Sequence, residues 1–245
     1  MDCLCLTVRV FFSAWQAVFV LFLVSAVEVV GCDFSSCGEF NICIDGGPMG
    51  EHEAVCSAAR NADIFFRPLK LDFPDRLTII LSKRIPPNGD GLALGSYHPA
   101  SNSVLLLDYQ AAVAASKRTP PAFGVPMSPS LWRSYLVHEI AHAIVARHAV
   151  FAGETLAPTE YIASVAQLSV LHDSVLSSVL SNYRTVTAFR DEAEITDLYY
   201  FMKPCEFAVR AYLHYLQPEN GQKFIRHLLD DGLPDSGAFE QIPFF

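Results

Sequence analysis

The chain has 245 residues, of which 51% are hydrophobic, 12% aromatic and 18% charged. This length suits one compact catalytic-sized unit with accessory segments, and the composition is too apolar for a disordered or low-complexity protein. The 17 basic and 26 acidic residues give a formal net charge of -9. Because proteins that bind nucleic acid normally present a basic surface, we expect no nucleic-acid partner.

An uncharged apolar run from Val10 to Val27 lies near the start of the chain and contributes to its mean hydropathy of +0.28. The small residues Val24-Ser25-Ala26 stand where a signal peptidase would cleave, so residues 1–26 are predicted to be a signal peptide. Two alternatives remain: a lipoprotein signal ending at residue 31, with Cys32 lipid-modified, and an uncleaved membrane anchor. We therefore expect an exported protein, either periplasmic or extracellular. A lipid on Cys32 or an uncleaved anchor would attach it to a membrane.

Five cysteines lie beyond the apolar run, and four of them fall between residues 32 and 56. This density is typical of a disulfide-stapled segment in an oxidising compartment. A zinc knuckle is the alternative, but no C-x2-C spacing occurs. If Cys32 carries a lipid, Cys37, Cys43, Cys56 and Cys205 could pair completely; the sequence does not define the connectivity.

The remaining chain changes from strand-like to helical patterns. Residues 33–60 suggest short, turn-rich segments, followed by a buried strand over 77–81 and a hairpin formed by 95–97 and 104–107. Helices are predicted at about 131–147, with Ser130 as N-cap, and then from 158 and over 173–183, 192–202, 204–216 and 219–230. The predicted fold class is α+β, with a Cys-rich segment (27–60), a β-rich module (61–125) and a helical half (126–235).

The first of these helices contains His138-Glu139-Ile140-Ala141-His142. Because four residues are slightly more than one helical turn, both imidazoles lie on one face and can bind a single zinc ion. Glu139 is rotated about 100° from His138, which places it beside the metal and close to its water. We interpret the motif as a catalytic zinc site with Glu139 as general base. Two core histidines beside a surface glutamate are the alternative.

A catalytic zinc site needs a third protein ligand and one open coordination position. His148 has the spacing of the metzincin motif, but Val145 replaces the glycine at which that chain turns. On an unbroken helix, His148 falls about 80° from His138 and away from the metal face. Glu160 begins the next predicted helix, and the connection before it contains glycine and proline and can fold that helix back. The sequence therefore favours Glu160 over His148 as the third zinc ligand.

The order of HEIAH, PTEYIASVAQL and FMKPCEFAVRAYLHYLQPENGQKFIRHLLDDG resembles the gluzincin (peptidase MA-like) zinc metallopeptidases, in particular their small exported bacterial members. The resemblance covers about residues 75–232. It implies a zincin-like fold, in which a β-rich layer lies above an active-site helix and a glutamate helix. It also implies Glu139 as general base and a zinc ion held by His138, His142 and Glu160.

Two positions depart from the family pattern: Thr159 stands where the family has asparagine, and Ser164 where it has a histidine-orienting aspartate. Another residue must therefore orient a zinc-binding histidine. Peptide hydrolysis also needs a donor for the tetrahedral oxyanion, for which Tyr212 and His214 are candidates, although aromatic residues at helical spacing are more often core.

The sequence favours an exported zinc metallopeptidase that acts on a peptide or protein substrate. An exported binding or structural protein, stabilised by zinc but without turnover, is the main rival. An exported interaction module without a metal is the third hypothesis. An open coordination position and an intact Glu139 separate the first hypothesis from its rivals.

Overall fold

The computed structural model describes residues 37–38, 40–85, 94–149 and 156–233. Its strands are β1 (Ile42–Gly46), β2 (Leu77–Ser82), β3 (Gly95–His98) and β4 (Ser103–Leu107). Its helices are α1 (Met49–Phe66), α2 (Tyr109–Ser116), α3 (Pro129–His148), α4 (Ala157–Ser169), α5 (Asp173–Asn182), α6 (Asp197–Met202), α7 (Pro204–Tyr215) and α8 (Gly221–Asp230). The predicted α+β class is confirmed. The predicted signal peptide, 1–26, and Cys32 lie outside the described residues.

The four strands form one mixed sheet in the order β1-β2-β4-β3. Strands β1, β2 and β4 are parallel, and β3 pairs antiparallel with β4 at the edge, with Tyr97 opposite Val104. The predicted strand and hairpin are therefore confirmed. Strand β1 was missed, because five residues of a segment interpreted as turn-rich carry little local signal. Its pairing with β2, which begins with Ile42 opposite Leu77, is a tertiary contact.

Helix α3 lies at the centre of the molecule, packed against α1, α4 and β3. Every residue from Ser134 to Val145 is buried, so the helix is covered on all sides. The predicted N-cap, Ser130, is wrong by two residues: Ser128 Oγ accepts the N–H of Leu131 at 3.2 Å. Pro129 then occupies the first turn, where its missing N–H costs nothing.

The other predicted helices occur within a few residues of their expected bounds, except for 192–202. That segment contains a 3-10 turn, Glu192–Glu194, and then the short helix α6. Thr196 separates the two, because its Oγ1 accepts the N–H of Tyr199 at 3.2 Å and so caps a new helix. Among the described residues, no helix combines the length and apolar character needed to cross a membrane.

The cysteines follow the predicted disulfide pattern in part. Cys37 and Cys56 form a disulfide that ties the chain before β1 to α1, and Cys43 is also disulfide-bonded. Cys205 is a buried thiol on α7, where its Sγ accepts the N–H of Phe123 at 3.5 Å. The alternative in which Cys205 completes a set of four paired cysteines is therefore wrong, because α7 buries this side chain against a different part of the core.

Candidate metal centre

The two histidines of the motif point their Nε2 atoms at the same place. His138 and His142 are one turn apart on α3, and their side chains are almost completely buried. The distance between their Nε2 atoms is 3.2 Å. This convergence is what the helical spacing predicts, and it follows from the unbroken backbone of α3.

Helix α4 brings a carboxylate to the same point. Glu160 lies in the first turn of α4 and has no exposed surface. Its Oε2 is 3.4 Å from His138 Nε2, and its Oε1 is 3.5 Å from His142 Nε2. One ligand atom from each of these three residues lies within 4.8 Å of the other two. The three side chains form a cluster that could hold a metal ion.

His148 is directed elsewhere, as the helix geometry predicts. Helix α3 continues unbroken to His148, and the Nε2 of this residue accepts the backbone N–H of Asp72 at 3.0 Å. The structure therefore brings Glu160, and not His148, to the paired imidazoles. The valine at position 145 continues the helix through the point where the metzincin pattern has a turn.

The donor atoms of the cluster have the spacing that a tetrahedral ion requires. Bonds of about 2.0–2.1 Å to an ion with tetrahedral angles place the ligand atoms about 3.3–3.4 Å apart. The observed separations are 3.2, 3.4 and 3.5 Å. Both oxygens of Glu160 are buried without a hydrogen bond of normal geometry, which is costly unless a cation binds there. The residues present therefore fit a small divalent ion.

Glu139 is buried beside the cluster without contributing to it. Neither of its carboxylate oxygens has a hydrogen-bond partner of normal geometry. Burial raises the pKa of Glu139 to about 7, and the positive charge that His138 can carry offsets only part of this effect. A carboxyl group with a pKa near neutrality can accept and return a proton under physiological conditions.

The three ligands differ in the direction of their pKa shifts. Burial lowers the pKa of His142 to about 4, so its imidazole is neutral at pH 7. Burial also lowers the pKa of His138, but the nearby carboxylate of Glu160 outweighs it, and the net shift is upward. The two imidazoles in turn outweigh the effect of burial on Glu160 and keep its pKa below the ordinary value.

Gln167 is a residue of the centre that sequence reasoning missed. It is buried on α4, two turns after Glu160, and its Nε2 lies 3.5 Å from the Oγ of Ser134 on α3. Its amide is also among the groups that raise the pKa of His138, although Nδ1 of that ring makes no hydrogen bond of normal geometry. A glutamine seven residues after the predicted ligand, on a helix otherwise rich in apolar residues, was the available signal.

Tyr200 on α6 is a second missed residue. It is 3% exposed, and its hydroxyl is close enough to Glu160 to favour the ionised carboxylate, without completing a hydrogen bond of normal geometry. No sequence signal identifies this residue, because it lies 40 positions after Glu160 in one of several aromatic-rich helices.

The two residues considered as oxyanion donors have other surroundings. His214 Nδ1 is 2.7 Å from the hydroxyl of Tyr161, and its ring packs on Phe224 with the centroids 4.7 Å apart. Burial raises the pKa of Tyr212, and the neighbouring Tyr215 and Asp173 add to this effect. These contacts belong to the helical core.

Comparison with known proteins bears on family membership. A family model described as "Family of unknown function (DUF6639)" matches residues 42–233. The match spans more than three quarters of the chain and includes every strand and helix named above. Comparison with curated proteins and with solved structures finds no match. The family match therefore identifies relatives without indicating an activity.

Proposed function

The chain belongs to the DUF6639 family, whose function is unknown, and we propose that it is an exported zinc metallopeptidase that hydrolyses peptide bonds. One observation carries this proposal: three ligand atoms converge on one point, and a buried, unpaired carboxylate stands beside them. Two imidazoles and one carboxylate leave one position of a tetrahedral ion open, which is the arrangement of catalytic zinc sites.

Zinc is the ion that this donor set favours. Imidazole nitrogen suits transition metals, whereas calcium and magnesium bind through oxygen atoms alone in most proteins. The spacing of the three donors supports tetrahedral coordination over the octahedral coordination of magnesium. Held by His138, His142 and Glu160, a zinc ion would supply a water molecule with a pKa near 7 and a positive charge to polarise the scissile carbonyl.

Glu139 is the general base in this proposal. It follows His138 directly on α3, so it stands beside the ligands and remains free to exchange a proton. Its carboxylate accepts a proton from the attacking water and passes it to the nitrogen of the departing amine. The pKa of about 7 that burial gives this group suits both steps at neutral pH.

The edge strand β3 supports a peptide as the substrate. Its side opposite β4 is not paired with another strand in the described part of the chain, so its backbone can hydrogen-bond an extended peptide. This strand packs on α3 beside Glu139. A cavity of about 390 Å³ lies next to it, lined in part by Tyr97, Ala143 and Arg147, and can accept a substrate side chain.

The arrangement of layers supports the gluzincin assignment. A mixed sheet with an antiparallel edge strand lies on the helix that carries the two histidines, and the helix that carries the glutamate packs on that same helix. These are the layers that the sequence resemblance implies. The proposed family is therefore gluzincin-like, with Gln167 in the role of the histidine-orienting residue that Ser164 cannot fill.

Export is supported by the apolar run at 10–27 and by the disulfide between Cys37 and Cys56, a bond typical of oxidising compartments. A fusion of residues 1–32 to a reporter that works only outside the cytoplasm tests it. We expect reporter activity, and its loss when a charged residue is placed in the middle of the apolar run. A reporter that stays inactive contradicts export.

Hydrolysis is tested on the purified exported protein by metal analysis and by cleavage of an unfolded protein substrate. We expect about one zinc per chain, loss of cleavage on chelation and recovery when zinc is returned. The Glu139→Gln variant should retain zinc and cleave at least about 100-fold more slowly, because only the proton acceptor has changed. A protein that binds no zinc, or a variant that cleaves as fast as the wild type, contradicts the proposal.

A further inference from the structure

The N-terminus of α4, the helix that carries Glu160, is capped from another helix. Within the part of the chain that the structure describes, no side chain at the start of α4 caps it. Instead, Oδ1 of Asp197, the first residue of α6, accepts the N–H of Leu156 at 2.9 Å and that of Ala157 at 2.7 Å. A carboxylate in this position satisfies two otherwise unpaired donors and interacts favourably with the helix dipole.

This cap is coupled directly to the metal ligand. The backbone carbonyl of Leu156 accepts the N–H of Glu160 at 3.0 Å and the hydroxyl of Thr159 at 2.9 Å. Leu156 is therefore bonded to Asp197 through its N–H and to the ligand-bearing turn through its carbonyl. A displacement of Leu156 would move the carboxylate of Glu160 relative to the two imidazoles.

Helix α6 also reaches the side chain of Glu160. Tyr200 lies one turn after Asp197, is almost fully buried and packs its ring against Phe207 at 5.4 Å between centroids. Its hydroxyl is near enough to Glu160 to help hold the pKa of that carboxyl group below its ordinary value. One short helix thus contacts both the backbone that carries the ligand and the ligand itself.

We propose that α6 is the positioning element of the metal centre: Asp197 fixes the first turn of α4, and Tyr200 orients the carboxylate of Glu160 before an ion binds. The inference rests on one part of the proposed function, which is that a divalent ion binds to the cluster. Preorganised ligands lose less conformational freedom when the ion binds, so loss of either contact should weaken binding. Removing an outer partner of a metal ligand typically costs about 10- to 100-fold in affinity.

Cobalt(II) titration of the full-length exported protein tests this role, because its visible absorption reports the coordination geometry. We expect Asp197→Ala to weaken cobalt binding by about 10-fold or more and to change the absorption bands. Asp197→Asn, which retains an acceptor oxygen, should recover most of the affinity. The matched control is Asp108→Ala: Asp108 caps α2 by accepting the N–H of Ala111 at 2.7 Å, and α2 carries no ligand. The control should lower the melting temperature without changing cobalt binding.

Tyr200→Phe keeps the ring packing and removes only the hydroxyl, so it provides a test even where Asp197→Ala does not fold. We expect it to weaken cobalt binding by about 10-fold at an unchanged melting temperature. The inference would be overturned if both Asp197→Ala and Tyr200→Phe bound cobalt with wild-type affinity, or if Asp108→Ala lost as much cobalt affinity as they do. Either result would leave the proposed function standing. A wild-type protein that binds neither cobalt nor zinc would contradict the proposed function and, with it, this inference.

Discussion

The backbone of Gly95 on β3 lies directly against the side chain of Glu139 on α3. A Cβ atom built at Gly95 would be 3.3 Å from the Cγ of Glu139. The same atom would be 2.5 Å from Cδ1 of Leu106 and 3.1 Å from the carbonyl oxygen of Leu105. The glycine therefore allows the edge strand to approach the helix at the position of the proposed general base.

We expect Gly95→Ala to lower the free energy of unfolding by about 1–3 kcal/mol, because the added methyl group overpacks this contact. It should also reduce peptide hydrolysis, since the added methyl group presses on the side chain of the proton acceptor as well as on Leu106. Urea unfolding and the cleavage assay measure the two effects. Gly50→Ala on α1 is the matched control, because a Cβ at Gly50 meets nothing within 4 Å. Gly50→Ala should leave the free energy of unfolding unchanged or raise it slightly. Equal losses of stability and of cleavage in the two variants would contradict a specific contact at Gly95.

The choice of third ligand is tested by two substitutions. Glu160→Gln should weaken zinc binding by about 10-fold or more, because a neutral amide replaces a charged oxygen ligand. His148→Ala should leave zinc affinity unchanged, since its ring bonds the backbone of Asp72. Competition with a chromogenic chelator measures both affinities. The reverse pattern would mean that the helix breaks near Val145 in solution and that the site is metzincin-like.

The raised pKa of Glu139 predicts a pH-dependent stability difference in the metal-free protein. Between pH 4.5 and about 7 the folded state keeps a proton on Glu139 that the unfolded state releases, so the wild type loses stability as pH rises through this window. A shift of this size corresponds to about 3 kcal/mol. Glu139→Gln lacks this penalty. It should therefore be more stable than the wild type by about 3 kcal/mol at pH 8, and equal to it near pH 4.5.

Urea unfolding in the presence of a chelator, repeated from pH 4.5 to 8, measures this difference. The effect of His142 has the opposite sign, because burial lowers its pKa to about 4 and the folded state loses stability as pH falls from 6.5. That contribution is common to both proteins and largely cancels in the comparison. A difference that stays constant with pH would show that Glu139 has an ordinary pKa in the folded protein.

Gln167 is predicted to orient His138. Replacing it with leucine removes the amide that acts on the ring while filling a similar volume, so zinc affinity should fall by about 10-fold. Ser164→Ala is the matched comparison, because Ser164 is buried on the same helix and stands where the gluzincin pattern has its orienting aspartate. We expect Ser164→Ala to bind zinc like the wild type. If only Ser164→Ala lost zinc affinity, Ser164 and not Gln167 would be the residue that orients His138.

The parts of the site that lie on one helix could be predicted from the sequence. The convergence of His138 and His142, the adjacent place of Glu139 and the exclusion of His148 all follow from the 3.6-residue period of an unbroken helix. The long helix itself was predictable because residues 131–147 contain no glycine or proline that would interrupt a helix. The hairpin of β3 and β4 was predictable for a similar reason, since strand and turn signals are local.

Contacts between distant segments required the tertiary structure. Glu160 could be favoured over His148 from the sequence, but only the packing of α4 on α3 places its oxygens 3.4 and 3.5 Å from the imidazoles. Tyr200 and Asp197 act across helix–helix contacts that neither their spacing nor their residue type indicates. Gln167 is a polar residue on a largely apolar helix, but only the packing of α4 on α3 shows what it faces. The raised pKa of Glu139 is likewise a property of the fold, because desolvation depends on what covers a carboxylate and not on its neighbours in the chain.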